Sequence, residues 1–481
     1  MQALTIPRTW LRKDVLHLTL PVMLEQTFLM SLGIVNTIMA SRIGEEAVSA
    51  IGMVDSIHNI FIAFFSALAV GGTVVVAQLT GQSRTREAND AVQQSLFSGL
   101  LLSVAVMLVL MCVKHPLIGA VYASAEPQVL QNAFLYFDIT VLTYPLISLS
   151  TIAYGVLRGA GDTRTPMKIN VAINVINLVL SYVLIYGIGP QGETLKATPF
   201  VFHIAGMGVK GAAIAVSIAR GLGAVAVMFV LFRGTKQIRL GGIRRFRFNG
   251  SLQRSIFGIG IPSSLESLMF NSGKLITQVF IVGMGTAAIA SNYIGGSMNS
   301  LTLIPGNALG IVATTMVGQA MGRKDTKEAG FLMWYLFWVS NLVQVVILLI
   351  FFPVAPHMAT LYTQDPEVIH MSSTLFRMAL VATPIAWSAS FLLPAGLKGA
   401  GDAKYTLITA IIGMWTFRIG TGWLYAIPLG FGVAGIWMGM FTDWAVRGIL
   451  FALRVRNGKW KEQRVLAEDG ETPHKVGAME V

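Results

Sequence analysis

A chain of 481 residues that is 54% hydrophobic and only 12% charged departs from soluble globular proteins, in which about one residue in four is charged. A net charge of +12 raises nucleic acid as a partner, but the basic residues fall into alternate short loops between apolar runs, which excludes that reading. One cysteine, Cys112, excludes a disulfide framework within the chain and a thiolate metal cluster.

The apolar runs are many, and about 20 residues is the length needed to cross roughly 30 Å of hydrocarbon as a helix. The basic opening MQALTIPRTWLRK runs straight into the first of them without a small-residue cleavage site, so the segment reads as a retained helix and not as a cleaved leader. Spans are predicted over 15–40, 48–79, 91–113, 131–157, 167–188 and 208–232, and then over 255–282, 288–321, 329–352, 372–397, 405–428 and 432–455. With the N-terminus in the cytoplasm, 26 of the 35 Lys and Arg fall in cytoplasmic segments and four (Arg42, Lys114, Lys196, Lys210) on the opposite side. That bias is the positive-inside signature. It predicts a multi-pass protein of the bacterial inner membrane with twelve helices and both termini cytoplasmic.

The predicted organisation is a cytoplasmic segment 1–14, a six-helix lobe 15–232, a basic linker 233–254, a second six-helix lobe 255–455 and a polar cytoplasmic tail 456–481 expected to be disordered. The linker reads as an orientation-setting loop that touches anionic lipid head groups. The division is a duplication. Residues 20–88 laid over 261–329 without a gap give 16 identities in 69 positions, among them Pro21/Pro262, Glu25/Glu266, Gly81/Gly322 and Gln78/Gln319. A second matched stretch sets LRGAGDT (Leu157 to Thr163) over LKGAGDA (Leu397 to Ala403). Copies with an even helix count enter the membrane the same way round, which gives two parallel bundles with a site between them near the midplane. Pro145, Pro305, Pro384 and Pro394 within the spans are candidate breaks.

Ionisable and amide groups in spans are candidates for transport chemistry, because each is costly in lipid unless it pairs or meets water. Glu25 and Glu266, equivalent by the repeat, together with Asp138, are candidate sites for a coupling cation or substrate. Asn36 joins them from the first helix, and Asn170, Asn174 and Asn177 share one face of the fifth through i, i+4, i+7 spacing. Lys274 follows Glu266 on the same helix and is a candidate partner for it, whereas Asp443 and Arg447 have the i, i+4 spacing of a local ion pair. His58 reads as a satisfied polar residue. Phe28, Met30, Phe61, Phe64 and Phe65 in one half, with Phe270, Tyr293, Met298, Trp387 and Lys274 in the other, are candidate cleft-lining residues for a planar ligand. The chain has no phosphate-binding G-x-x-x-x-G-K-[ST] loop, HExxH, CxxC pair or G-x-S-x-G, so neither ATP, a metal, a cofactor nor enzymatic catalysis is expected.

The ordered set PVMLEQ, VNTIMASRIG, AVSAIG and VVVAQLTGQ, its second copy IPSSLE, GMGTAAIASN and ATTMVGQAMGR, and the paired L-[RK]-G-A-G-D loops resemble the multidrug and toxic compound extrusion family over roughly residues 15–455. The resemblance implies twelve helices in two bundles, an outward-opening V-shaped cleft, a monomer, and export of small organic compounds, planar aromatic ones among them, in exchange for protons or sodium. Four positions depart from the family pattern. Asn36 stands where the sodium-coupled branch has an Asp, Phe270 and Trp387 where that branch has its second-lobe acids, and Ser181 where a proton-coupled branch has another Asp. Two other readings remain open at this point, a flippase for lipid-linked intermediates and a passive channel.

Overall fold

In the computed structural model, the structure describes residues 8–41, 43–121, 126–188, 204–235, 237–241 and 246–466. The first lobe comprises α1 (Arg8–Ser41), α2 (Glu45–Gly81), α3 (Thr85–Val121), α4 (Pro127–Val141), α5 (Tyr144–Gly159), α6 (Arg164–Tyr186) and α7 (Gly208–Arg233). A two-residue antiparallel ribbon, β1 (Gly187–Ile188) with β2 (Ile204–Ala205), joins α6 to α7 in an otherwise helical fold. The second lobe comprises α8 (Gly250–Val282), α9 (Thr286–Thr302), α10 (Ile304–Gly322), α11 (Thr326–Thr360), α12 (Pro366–Ala382), α13 (Ser388–Ala400), α14 (Ala403–Ile412), α15 (Gly422–Ala426) and α16 (Gly432–Asn457).

These segments make twelve spans. The α4–α5 and α9–α10 pairs are each one span bent by 51°, at two of the four prolines that the sequence offers as breaks. The cause is local. Pro145 and Pro305 sit in the first turn of α5 and α10, where a missing N–H costs nothing to the new helix but interrupts the old one. The other two proline candidates do not break their span: Pro384 lies in a π-helical stretch, Thr383–Trp387, that links α12 to α13, and Pro394 lies within α13. A second π-helical stretch, Gly413–Thr421, links α14 to α15.

Length and apolarity alone pick out eight spans among the described residues, or ten with the bent pairs. The two that complete the set are α1 and α8, equivalent by the repeat, which carry Glu25, Glu266 and Lys274. Elsewhere apolar side chains point outward, as with Leu101, Val225 and Leu349 at 63%, 67% and 69% exposure, the surface a hydrocarbon surround requires.

The L-[RK]-G-A-G-D loops close α5 and α13 identically. Gly161 and Gly401 take φ of +90° and +100°, a left-handed turn that glycine adopts without a Cβ penalty. The following Asp162 and Asp402 N–H groups donate to Leu157 O and Leu397 O, both at 2.9 Å. Further into each helix, a Cβ on Gly159 would lie 2.4 Å from Thr73 O and one on Gly399 2.5 Å from Thr314 O, so only glycine lets α5 meet α2 and α13 meet α10 this closely.

The lobes join at the end that carries the basic loops. Gln78 Nε2 donates to Gly399 O at 3.1 Å across the interface, and its repeat partner Gln319 Nε2 donates to Gly159 O at 3.0 Å. Gly81 and Gly322 allow the approach, because a Cβ there would lie 2.1 Å from Gln319 O and 2.0 Å from Gln78 O. Higher on the same face, Gly71 abuts Ile256 O and Gly260, and Ser264 Oγ donates to Phe64 O at 3.3 Å.

The start of the tail is docked, in contrast to the disorder expected of it from composition. Trp460 is fully buried with its Nε1 donating to Val455 O at 3.0 Å, and Ser255 Oγ donates to Val465 O at 2.5 Å. A single indole supplies the apolar area that a window average over a polar segment hides. The tail beyond 466, with linker residues 236 and 242–245, lies outside the described residues.

Candidate functional site

Above the joint, between α1 and the second lobe, lies a cavity of about 770 Å³. From the first lobe, α1 contributes Gln26, Leu29 and Met30. From the second, α8 contributes Phe270, Lys274 and Gln278; the α9–α10 elbow contributes Asn292, Asn299 and Asn307; and α16 contributes Trp437 and Trp444. The two π-helical stretches place Trp387 and Arg418 in the wall. Such stretches widen the helix locally and redirect one side chain, which is why they recur at functional sites.

The charges in this wall are arranged around one ring. Lys274 Nζ lies 4.8 Å, Arg418 Cζ 5.3 Å and Arg447 Cζ 5.8 Å from the Phe270 centroid, within the range of cation–π attraction. Behind them Asp443 accepts from Arg447 Nε at 2.7 Å and from Arg447 Nη2 at 2.9 Å, with Arg418 Nη1 4.0 Å away. The i, i+4 pair expected from spacing is therefore formed, and it is fully buried. Trp387 stacks on Phe391 at 5.1 Å with the planes 19° apart. Trp437 Nε1 donates to Asn292 Oδ1 at 2.9 Å, and Asn292 Nδ2 in turn to Gln278 Oε1 at 3.2 Å.

Of the residues singled out from sequence, Lys274, Met30, Phe270 and Trp387 meet in this cavity. Phe28 and Phe64 are half-buried outside its lining, and Tyr293 is 72% exposed beside a separate shallow recess with Gln278 and Thr286. Lys274 does not neutralise Glu266. Glu266 accepts from Lys398 Nζ at 3.0 Å and Thr406 Oγ1 at 3.1 Å. Its repeat partner Glu25, only 1% exposed, accepts from Arg158 Nη2 at 2.6 Å and from Asn170 Nδ2. The basic residue of each L-[RK]-G-A-G-D loop thus clamps the carboxylate of the first helix in its own lobe, and in the first lobe Glu25 Oε2 remains buried without a hydrogen-bond partner.

The remaining candidates lie apart. Asp138 pairs with Lys114 at 2.7 and 2.8 Å in a half-exposed contact between α3 and α4. Asn174 Nδ2 donates to Asn170 O at 2.7 Å, and Asn177 Oδ1 accepts from Ser181 Oγ at 3.3 Å. Asn36 belongs to α1, and its side chain lies outside the described residues.

Sequence reasoning passed over Asp55, the carboxylate inside the apolar run of α2. It accepts from Tyr136 Oη at 3.5 Å, next to His58, whose ring nitrogens bond Tyr144 Oη and Thr140 Oγ1 at 2.7 Å each. Arg220 Nη1 donates to Thr143 Oγ1 at 2.9 Å in the same polar core. The missed signal is a lone acid in a span, the same one that singles out Asp138.

The MatE family model matches residues 21–183 and again 262–424, the two copies that the repeat defines. The chain belongs to the MatE family. It is 28% identical over 446 residues to the uncharacterized transporter YisQ of Bacillus subtilis, covering 92% of this chain and 94% of that one. It is 26% identical over 461 residues to the probable multidrug resistance protein NorM of Thermotoga maritima, covering 95% of each. Among solved structures, a MATE transporter in a bent conformation superposes with a TM-score of 0.82 at 21% identity, covering 93% of this chain and 95% of that one. A MOP-superfamily transporter from Pyrococcus furiosus, described as having a binding pocket of reversed polarity, superposes with a TM-score of 0.83 at 21% identity, covering 94% and 97%. These matches bear out the two-lobed, twelve-helix membrane fold of this MatE protein.

Proposed function

We propose that this MatE chain is a secondary active exporter of small organic molecules, working by alternating access between its lobes in exchange for protons or sodium. The observation that carries the reading is a cavity at the lobe interface standing over a joint built twice, Gln78 on Gly399 and Gln319 on Gly159. A joint of paired hydrogen bonds can open as a unit, and rocking the lobes about it exposes the cavity to one side and then the other. A passive channel needs a continuous path, which such a seal interrupts. The concentration of Lys and Arg in the loops at the sealed end supports an inner-membrane orientation with that end and both termini cytoplasmic. Relatives carrying multidrug resistance names, the Thermotoga maritima NorM and the Yersinia pestis MdtK, support small organic cargo.

Coupling requires a carboxylate that can take up and release a cation during the cycle. Glu25 fits that role, since Oε1 is held by Arg158 and Asn170 while the buried Oε2 is open to a proton or to sodium. The test is ethidium efflux from proteoliposomes with an imposed proton or sodium gradient, wild type against Glu25→Gln. Gradient-driven efflux falling to background in the variant at equal membrane abundance is the expected result; unchanged efflux removes Glu25 from coupling. One observation favours a second reading. The cationic wall formed by Lys274 and Arg418 also suits the phosphate of a lipid-linked intermediate, and movement of such a lipid with no efflux of soluble cargo would put the flippase reading first.

A further inference from the structure

The cavity wall carries charge of one sign. Lys274 and Arg418 are the charged side chains of its lining, and no carboxylate is among the lining residues. Lys274 makes no ion pair among the described residues; its ammonium rests over the Phe270 ring. The carboxylate beside Arg418 is already engaged, because both Asp443 oxygens accept from Arg447. Lys274, Arg418 and Arg447 against Asp443 are three cations against one anion, a formal excess of two positive charges. Cations at membrane depth are retained where something negative comes to them.

A further donor lies behind the same wall. Trp444 is 3% exposed, its ring lines the cavity, and its Nε1 has no hydrogen-bond partner, although a buried indole N–H ordinarily finds one. Beside the cations the wall is aromatic, made by Trp387 stacked on Phe391, which in turn lies 6.1 Å from the Phe270 ring, together with Trp437. Ammonium and guanidinium both donate and neither accepts, so the polar group they suit is an acceptor with negative charge.

We propose that this cavity binds planar aromatic anions, with the carboxylate, sulfonate or phosphate of the ligand held by Lys274 Nζ and the Arg418 guanidinium, and its ring against Trp387 and Trp437. The proposal names the cargo class of the export reading and rests on it for the cavity's being the cargo site. A phosphate-headed lipid would share the anion but not the ring, and the indole wall favours the aromatic ligand.

The test uses the full chain in nanodiscs of phosphatidylcholine, titrated calorimetrically with riboflavin 5′-phosphate, riboflavin, ethidium and farnesyl phosphate. Riboflavin 5′-phosphate is expected to bind at least tenfold more tightly than riboflavin, which has the same ring without the charge. Lys274→Gln and Arg418→Gln are each expected to weaken the phosphate ester tenfold or more and to leave riboflavin within twofold. Ethidium binding more tightly than the phosphate ester overturns the proposal, as does equal affinity of the two flavins in the wild type, a comparison that needs no variant to fold. Farnesyl phosphate binding tenfold more tightly than the flavin ester replaces the aromatic anion with a lipid one. Gradient-driven flux is measured separately on the same protein. Ethidium export without anion binding removes this site and leaves the exporter standing, whereas anion binding without gradient-driven flux upholds the site and removes the exporter.

Discussion

The two lobes are alike where they touch and different where they enclose space. At the joint, each device in one lobe has its counterpart in the other: Glu25 clamped by Arg158 and Glu266 by Lys398, Gly159 against Thr73 and Gly399 against Thr314, Gln78 crossing one way and Gln319 the other. Toward the far end the correspondence ends. The first lobe keeps a hydrogen-bonded network of His58, Tyr144 and Thr140 beside Asp55 and Arg220, while the second holds Lys274, Arg418 and the buried Asp443–Arg447 pair among tryptophans. The difference follows from how each region is used. At the joint each copy must keep the residue that meets the other across it, Gln78 for Gly399 and Gln319 for Gly159. A cavity has no such constraint, and one copy can change alone.

The strongest way to break this comparison is to spoil the joint from each side in turn. Gly81→Val and Gly322→Val place carbon atoms where the opposite lobe has a carbonyl oxygen, with the Cβ at 2.1 and 2.0 Å from it, and backbone cannot rotate out of the way as a side chain can. Each variant is expected to cut gradient-driven flux in proteoliposomes at least a hundredfold at normal membrane abundance. Gly258→Ala, at a glycine with open space around it, is expected to stay within twofold of wild type. Tolerance of one substitution and not the other would mean that the joint is two-fold in sequence only.

Thermal unfolding sharpens the contrast between the far halves. Asp443→Asn leaves Arg447 buried at 3% exposure and Arg418 at 8% without their carboxylate, and breaking a buried pair this way costs about 3–5 kcal/mol. Asp55→Asn removes one long 3.5 Å contact from a half-buried position, for which about 1 kcal/mol is expected. Equal losses, measured as unfolding midpoints of the purified variants, would erase the distinction between a tightly paired second-lobe carboxylate and a loosely held first-lobe one.

Sequence alone discloses what repeats and what is long. The span count and duplication are legible because apolar runs and matched residues need no knowledge of neighbours. Glu25 and Glu266 stand out for the same reason, but their partners do not: Arg158 and Lys398 lie more than 130 positions away in a different matched loop, and only packing brings the two motifs together. Of the aromatic candidates, Trp387 reaches the cavity through a π-helical stretch and Tyr293 faces outward. Residue type cannot make that distinction, since it depends on where the helix is widened and which face its neighbours cover. Trp460 was hidden by its polar surroundings, whereas Asp55 carried the signal of a lone acid in a span and was passed over.

The finest test of likeness between the lobes concerns the two glutamines. Gln78→Ala and Gln319→Ala each delete one hydrogen bond across the joint and leave one carbonyl, Gly399 O or Gly159 O, without that donor. A net loss of about 1 kcal/mol per bond shifts the balance between sealed and open joints about fivefold. The bonds lie on separate helices and share no partner, so the double variant is expected to shift it about 25-fold, the product of the two singles. Spin labels at Arg86→Cys and Lys327→Cys, repeat-equivalent exposed positions at the starts of α3 and α11, with Cys112 replaced, report the open fraction as a longer distance. Matching shifts from the two single variants place equal weight on both halves of the clasp. A shift confined to one would show that a single lobe holds the joint closed, and the likeness of the two would then be geometric without being energetic.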